Sequence, residues 1–279
     1  MTEVTELPAI RLAEQAVVVG ERALISVKGV DKRYAVRQGE AVQALSAIDF
    51  ELRDGEVLSV VGPSGCGKST LLRVMAGLDG PSRGRVLLSG VPVTGPRREI
   101  GVVFQQATLL PWRTVLENVL LPAQMQRLDR SRSTERARDL LDLVGLSGFR
   151  DKYPFELSGG MQQRVAICRA LVCDPRILLM DEPFGALDAM TREQMNVELM
   201  RIQAEQRKTI VFITHSIPEA VFLGDRVLVM TPRPGKVALI AKVELPKPRT
   251  LATMGSASFA AQSNEIRLAF SGKADGPGF

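Results

Sequence analysis

The chain has 279 residues, 45% of them apolar and 24% charged, which excludes a fibrous, low-complexity or disordered protein. Its net charge of +5, from 36 basic against 31 acidic residues, is mild and scattered; it does not point to nucleic acid and is compatible with a place beside anionic lipid headgroups. No apolar run approaches the ~20 residues of a membrane helix. Glu3, Glu6 and Glu14 argue against a secretory leader and for a cytosolic chain. Cys66, Cys168 and Cys173 form no C-x-x-C pair, so neither a disulfide framework nor a zinc site is expected.

Residues 1–22 lack a period and read as an extension. Leu24 to Val27 and Ala44 to Phe50 read as short antiparallel strands, and Arg53-Asp54-Gly55-Glu56 as the turn into a buried strand, Val57 to Val61. Then comes Gly62-Pro63-Ser64-Gly65-Cys66-Gly67-Lys68-Ser69-Thr70, which fits G-x-x-x-x-G-K-[ST] between a strand and a helix. Glycines there let successive N–H groups face phosphate oxygens, and the helix adds its positive end. Lys68 supplies a charge for the β- and γ-phosphates, and Ser69 a hydroxyl for Mg²⁺. Cys66 sits among those N–H groups beside Lys68, a setting that predicts a reactive thiolate.

Gly84 to Leu88 and Glu99 to Phe104 read as strands on either side of a Pro- and Gly-rich connection, Gly90 to Pro96. Residues 114–150 turn helical and arginine-rich (Arg127, Arg130, Arg132, Arg136, Arg138), the pattern of a solvated helix face in an insert. Ser158 is positioned to cap a helix running to about Leu171, which Asp174-Pro175 breaks. Arg176 to Glu182 is an apolar strand ending in paired carboxylates, Asp181 and Glu182, for which a metal is the economical explanation. Thr209 to Thr214 is another core strand, ending at His215, and Ser216 to Glu219 matches a capping box. Arg226 to Met230 and Lys236 to Ile240 read as a closing hairpin, and residues 246–279 as a tail with one short helix near Asn264 to Phe270. Strands alternating with helices behind a phosphate loop imply a mainly parallel α/β sheet.

Leu157-Ser158-Gly159-Gly160, with Ser158 standing 23 residues before Asp181, narrows the class well beyond the phosphate loop. Over roughly residues 24–245 the chain resembles the nucleotide-binding subunit of an ATP-binding-cassette (ABC) transporter. The resemblance implies a RecA-like P-loop NTPase core, with an antiparallel β subdomain and a helical subdomain over about 107–163 inserted in a domain spanning 23–245. It implies MgATP bound at residues Gly62 to Thr70, with Tyr34 stacked on adenine. Gln105 would reach Mg²⁺ and the attacking water, Asp181 would be the Mg²⁺-associated carboxylate, Glu182 the catalytic base, and His215 the switch at the γ-phosphate. Ser158, Gly159, Gly160 and Asp188 would act across a head-to-tail dimer of two copies, with ATP between them.

Leu109-Leu110-Pro111-Trp112 and the run from Thr214 to Leu223 further resemble the branch that imports nitrate, taurine and alkanesulfonates. The partners implied are integral membrane permease subunits at the cytoplasmic face and, indirectly, an extracytoplasmic solute-binding protein; nucleic acid is not among them. The alternative is a soluble ABC-type ATPase acting on ribosomes or DNA, which usually carries two cassettes or a long coiled-coil insert. The segment Thr108 to Arg113, with Trp112, is expected to be exposed at least in part and to meet the permease.

Overall fold

A computed structural model of the protein describes residues 23–35, 41–185 and 187–271; the extension expected over residues 1–22 lies outside them. Short runs in which every residue is buried need partners on both edges and cover on both faces. Three such runs stand side by side: β3 (Val57–Val61), β8 (Thr209–Ile213) and β7 (Ile177–Asp181). They pair in parallel, with β6 (Ile100–Val103) beyond β7 and β9 (Arg226–Met230) beyond β3. β10 (Val237–Lys242) adds an antiparallel edge to β9.

Side-chain alternation divides these strands between two cores. Leu58, Val60, Leu179, Val211, Ile213 and Leu228 face one side, under helix α1 (Lys68–Met75) and an antiparallel sheet. That sheet runs β2 (Val42–Leu52), β1 (Ile25–Tyr34), β4 (Arg83–Leu88), β5 (Val91–Pro92). Val57, Val61, Leu178, Met180, Ile210 and Phe212 face the other side, in one cluster with residues of the remaining helices. These are α2 (Val115–Met125), α3 (Arg130–Leu143), α4 (Gly159–Leu171), α5 (Ala189–Gln206), α6 (Ile217–Leu223) and a C-terminal pair, α7 (Leu251–Met254) and α8 (Ala257–Ser271). α2, α3 and α4 all lie between β6 and β7 in the chain, where the helical insert is expected. Among the described residues no helix is long and apolar enough to cross a membrane.

Four elements depart from the sequence reading. β1 and β2 are longer than their apolar cores because register shifts in their pairing, one spanning Gly29, break the alternation. The connection after Gly90 carries the short strand β5, paired with β4. α5, an 18-residue helix, was not singled out: its buried face includes Asn196 and Gln203, which mask the apolar period. The Ser216 box is only half formed. The Ser216 hydroxyl accepts from the Glu219 N–H at 3.3 Å, whereas the Glu219 carboxylate accepts from Thr214 Oγ1.

The C-terminal segment is docked rather than a tail with one short helix. Phe259 and Ile266 on α8 are buried, and Arg249, 4% exposed, donates from Nη1 to the carbonyls of Val221, Phe222 and Gly224 at 3.2, 2.9 and 2.8 Å. Those carbonyls end α6, where a cation is favoured. Burial pulls the Arg249 pKa down, and the nearby Asp225 charge opposes that shift. Arg249→Met is therefore expected to cost about 3 kcal/mol, because buried carbonyls lose a charged donor; thermal melting should register a drop of several degrees.

Candidate active site

The chemistry-bearing residues follow the carboxyl ends of four neighbouring parallel strands, where open α/β sheets bind ligands. The loop after β3 wraps back on itself. Lys68 is buried at the start of α1, and its Nζ donates to Gly62 O at 2.7 Å and Pro63 O at 3.1 Å. The Cys66 N–H donates to Pro63 O at 3.3 Å, closing a tight turn. Gly67, the residue before α1, has φ 112°, and a Cβ there would lie 2.8 Å from Ala44 O, so both backbone and space demand glycine.

Asp181 ends β7 and hydrogen-bonds the Ser69 hydroxyl. Burial pushes its carboxyl above the ordinary range, Ser69 pulls it down, the Glu182 charge adds to the rise and the Lys68 charge opposes it. Glu182 follows with φ 45°, a left-handed conformation that costs a non-glycine residue about 1 kcal/mol or more. Its N–H still donates to Ile213 O at 3.0 Å, so β8 holds it in place. One carboxylate oxygen, Glu182 Oε2, accepts from Gln105 Nε2 at 3.4 Å and lies 3.2 Å from His215 Nδ1. Gln105 comes from beyond β6 and His215 from beyond β8. Three strands therefore deliver one acid, one amide and one imidazole to a single point, with the Ser69–Asp181 pair beside it.

Tyr34 lies at the flank of this group. Its hydroxyl donates to Asp79 Oδ2 at 3.0 Å, Lys32 Nζ stands 4.9 Å from the ring centroid, and Thr70 is a further hydrogen-bonding neighbour. Ser158 and Asp188 do different work within the protomer: each caps a helix, accepting from Met161 N at 3.3 Å and from Thr191 N at 2.9 Å. Both are exposed, and among the described residues neither hydrogen-bonds the 62–70 loop.

The expectation of a reactive Cys66 thiolate is overturned. Cys66 is 1% exposed, and burial pushes its thiol up despite the charge of Lys68. Its side chain belongs to the core shared with Leu45, Leu71 and Met230. The backbone N–H groups of Lys68 and Cys66 do favour the thiolate, but burial outweighs them, and the thiol fills space behind the loop.

Several positioning residues have no motif that would have marked them. Buried Gln163 on α4 donates to Phe104 O at 2.9 Å, and Arg169 on the same helix donates to Ala107 O at 2.7 Å and Thr108 O at 2.9 Å, so α4 holds the segment carrying Gln105. Arg192 of α5 donates to Leu187 O at 2.9 Å, beside Asp188. Buried Asn118 accepts from Leu110 N at 2.8 Å and donates to the carbonyls of Leu110, Arg113 and Thr114, fixing the turn that presents Trp112. Trp112 is 71% exposed, whereas Leu109 packs against the core, so the stretch is exposed in part, as expected.

The ABC transporter family profile matches residues 45–185. An uncharacterized ABC transporter ATP-binding protein of Methanocaldococcus jannaschii is 54% identical over 211 residues, covering 76% of this chain and 79% of the relative. The taurine import ATP-binding protein of Roseobacter denitrificans is 47% identical over 213 residues, covering 76% of this chain and 80% of the relative. A solved dimeric ATP-binding cassette in a post-hydrolysis state with ADP and Pi superposes with a TM-score of 0.73 at 35% identity, covering 80% of this chain and 100% of that one. With its phosphate loop, paired carboxylates and histidine on adjoining strand ends, the chain belongs to the ABC transporter family, as one of its ATP-hydrolysing cassettes.

Proposed function

We propose that this cassette binds ATP along residues Gly62 to Thr70 and hydrolyses it with Glu182 as base. The shared contact of Glu182 Oε2 with Gln105 and His215 carries this reading. Phosphoryl transfer needs position and charge more than covalent chemistry. Lys68 and the loop N–H groups neutralise the β- and γ-phosphates. A water held between Gln105 and Glu182 attacks the γ-phosphorus, Glu182 takes its proton, and ADP leaves with phosphate as the second product. His215 orients Glu182 and reaches the γ-phosphate. Ser69, Asp181 and Gln105 suit Mg²⁺, since all offer hard oxygen donors and Ser69 already pairs with Asp181. Bound there, the ion would neutralise phosphate oxygens. Tyr34, its hydroxyl anchored by Asp79, offers a ring face for adenine.

The complete site takes two copies of the chain. Ser158, Gly159 and Gly160 begin the 13-residue helix α4, whose N-terminus favours an anion. A Cβ added at Gly159 meets nothing within 4 Å, so this helix end stands open to an approaching group. A head-to-tail pair would bring that end and Asp188 onto the γ-phosphate held by the other copy.

Work done at this site passes to a membrane permease at the cytoplasmic face, where the cassette sits peripherally. The exposed aromatic side chains Trp112 and Phe155 suit such a contact. By its likeness to a taurine importer, the system takes up a small sulfonate-, taurine- or nitrate-like anion delivered by an extracytoplasmic binding protein. The cassette never touches this cargo. A ribosome- or DNA-directed role finds no support among the relatives described.

Two outcomes follow. Glu182→Gln keeps Lys68 and Asp181, so MgATP binding is expected to survive while turnover falls by about 10²–10⁴; phosphate release and size-exclusion chromatography with ATP should find an inactive protein retained as a dimer. A variant that turns over at the wild-type rate removes Glu182 as base. Trp112→Ala should leave nucleotide affinity intact and weaken assembly with the permease, seen by co-purification. In the wild type, the single indole should lose quencher access on assembly; an unchanged Trp112 signal places docking elsewhere.

A further inference from the structure

The segment joining β9 to β10, Thr231-Pro232-Arg233-Pro234-Gly235-Lys236, presses on the outside of the phosphate loop. A Cβ at Gly235 would fall 2.1 Å from Cys66 O, closer than any side chain tolerates. Gly235 is fixed there by two backbone bonds to β2: its N–H donates to Ala44 O at 3.0 Å, and its carbonyl accepts from Ser46 N at 2.9 Å. Ala44 in turn backs Gly67, leaving no room for a methyl group there. Three chain segments thus stack backbone to backbone behind the loop.

Arg233 completes the contact. Its Nε donates to Gly65 O at 3.2 Å, and the residue is otherwise exposed. The peptide between Gly65 and Cys66 is held at both ends, its carbonyl by Arg233 and its N–H by Pro63 O at 3.3 Å. The next peptide has its carbonyl, Cys66 O, against Gly235. Fixing two successive peptide planes from outside fixes where the Gly67 N–H points and from where the chain enters Lys68. A guanidinium keeps its charge at every working pH, so the strap also sets a permanent cation behind the loop.

We propose that Arg233 is a positioning residue for the phosphate loop: it clamps the Gly65–Cys66 peptide from the outer face and adds a fixed positive charge to the field felt by the bound triphosphate. The proposal rests on residues 62–70 being the triphosphate site. The clamp is a hydrogen bond from a charged donor to a backbone carbonyl, stronger than a neutral pair. It also polarises the peptide whose N–H borders the site. Its effect belongs to nucleotide affinity more than to the chemical step, because Glu182, Gln105 and His215 lie on other strand ends.

The test uses the purified full-length chain with a fluorescent ADP analogue and steady-state MgATP hydrolysis, in Arg233→Ala, Arg233→Lys, Arg233→Gln and Lys68→Ala. Arg233→Ala is expected to weaken analogue binding and raise KM about five- to tenfold, with a smaller change in kcat and an unchanged melting temperature. Arg233→Lys should recover most of the affinity at low salt and lose that recovery as salt rises, while Arg233→Gln recovers less. The proposal is overturned if Arg233→Ala binds within about twofold of wild type while Lys68→Ala abolishes binding, or if the loss falls on kcat rather than KM. If Lys68→Ala itself binds normally, the phosphate site is misassigned and both readings fall together.

Discussion

The pairing of β7 between β6 and β8 is the constraint on which the site depends. β7 is buried at every position and ends in a carboxylate, which an apolar sheet tolerates only at its rim. Because its neighbours run parallel and in register, all three strands end at one rim, where Gln105, Glu182 and His215 follow. A one-residue slip in β7 would turn Leu178 and Met180 from the helical core to the opposite one and carry Asp181 with them. The packing that fixes register therefore also fixes the chemistry. The left-handed backbone at Glu182 is tolerated because the ladder continues through its N–H to Ile213 O.

Charge at this rim is arranged for a guest with several negative charges. Lys68 is buried and satisfied by two backbone carbonyls rather than by a carboxylate, so its charge is not cancelled within the loop. Burial and the neighbouring Glu182 both push Asp181 upward, so a cation there would be welcomed electrostatically. In the scaffold some charges meet carboxylates, Lys208 with Asp174, Arg226 with Glu56 and Lys247 with Asp225, while Arg169 and Arg249, like Lys68, are held by carbonyls.

What the sequence made legible, and what it hid, follows from the range of the interactions. The phosphate loop, the strands before Gly62, Glu182 and His215, and the Ser158 cap are local patterns, and the structure carries each of them. Cys66 misled because its chain neighbours favour a thiolate, whereas its burial comes from Leu45 and Met230, far away in sequence. α5 was hidden by polar residues that the fold buries, Gln203 donating to Gly55 O across 148 positions. The helix read at Asn264 to Phe270 is the end of α8, but its docking was hidden, since part of the anchor is one arginine reading carbonyls of α6 and no local period encodes such a contact. The Glu219 carboxylate accepts from Thr214, just beyond β8, in place of its expected capping partner.

Coupling between the rim and a docking face needs a connection stiff enough to transmit displacement, and the hydrogen bonds supply one. Gln105 sits in a segment whose backbone is gripped by Gln163 and Arg169, both on α4. α4 begins at Ser158, the end proposed to close on a second copy's nucleotide. A few residues beyond Gln105 the chain enters the turn that Asn118 fixes with four hydrogen bonds, and at its tip stands Trp112. Displacement of the backbone from Phe104 to Thr108 therefore strains its hydrogen bonds to α4. Rigid elements carry coupling of this kind where flexible connectors would dissipate it, and hydrogen bonds to α4 and to Asn118 anchor the backbone on the way from Gln105 to the exposed Trp112.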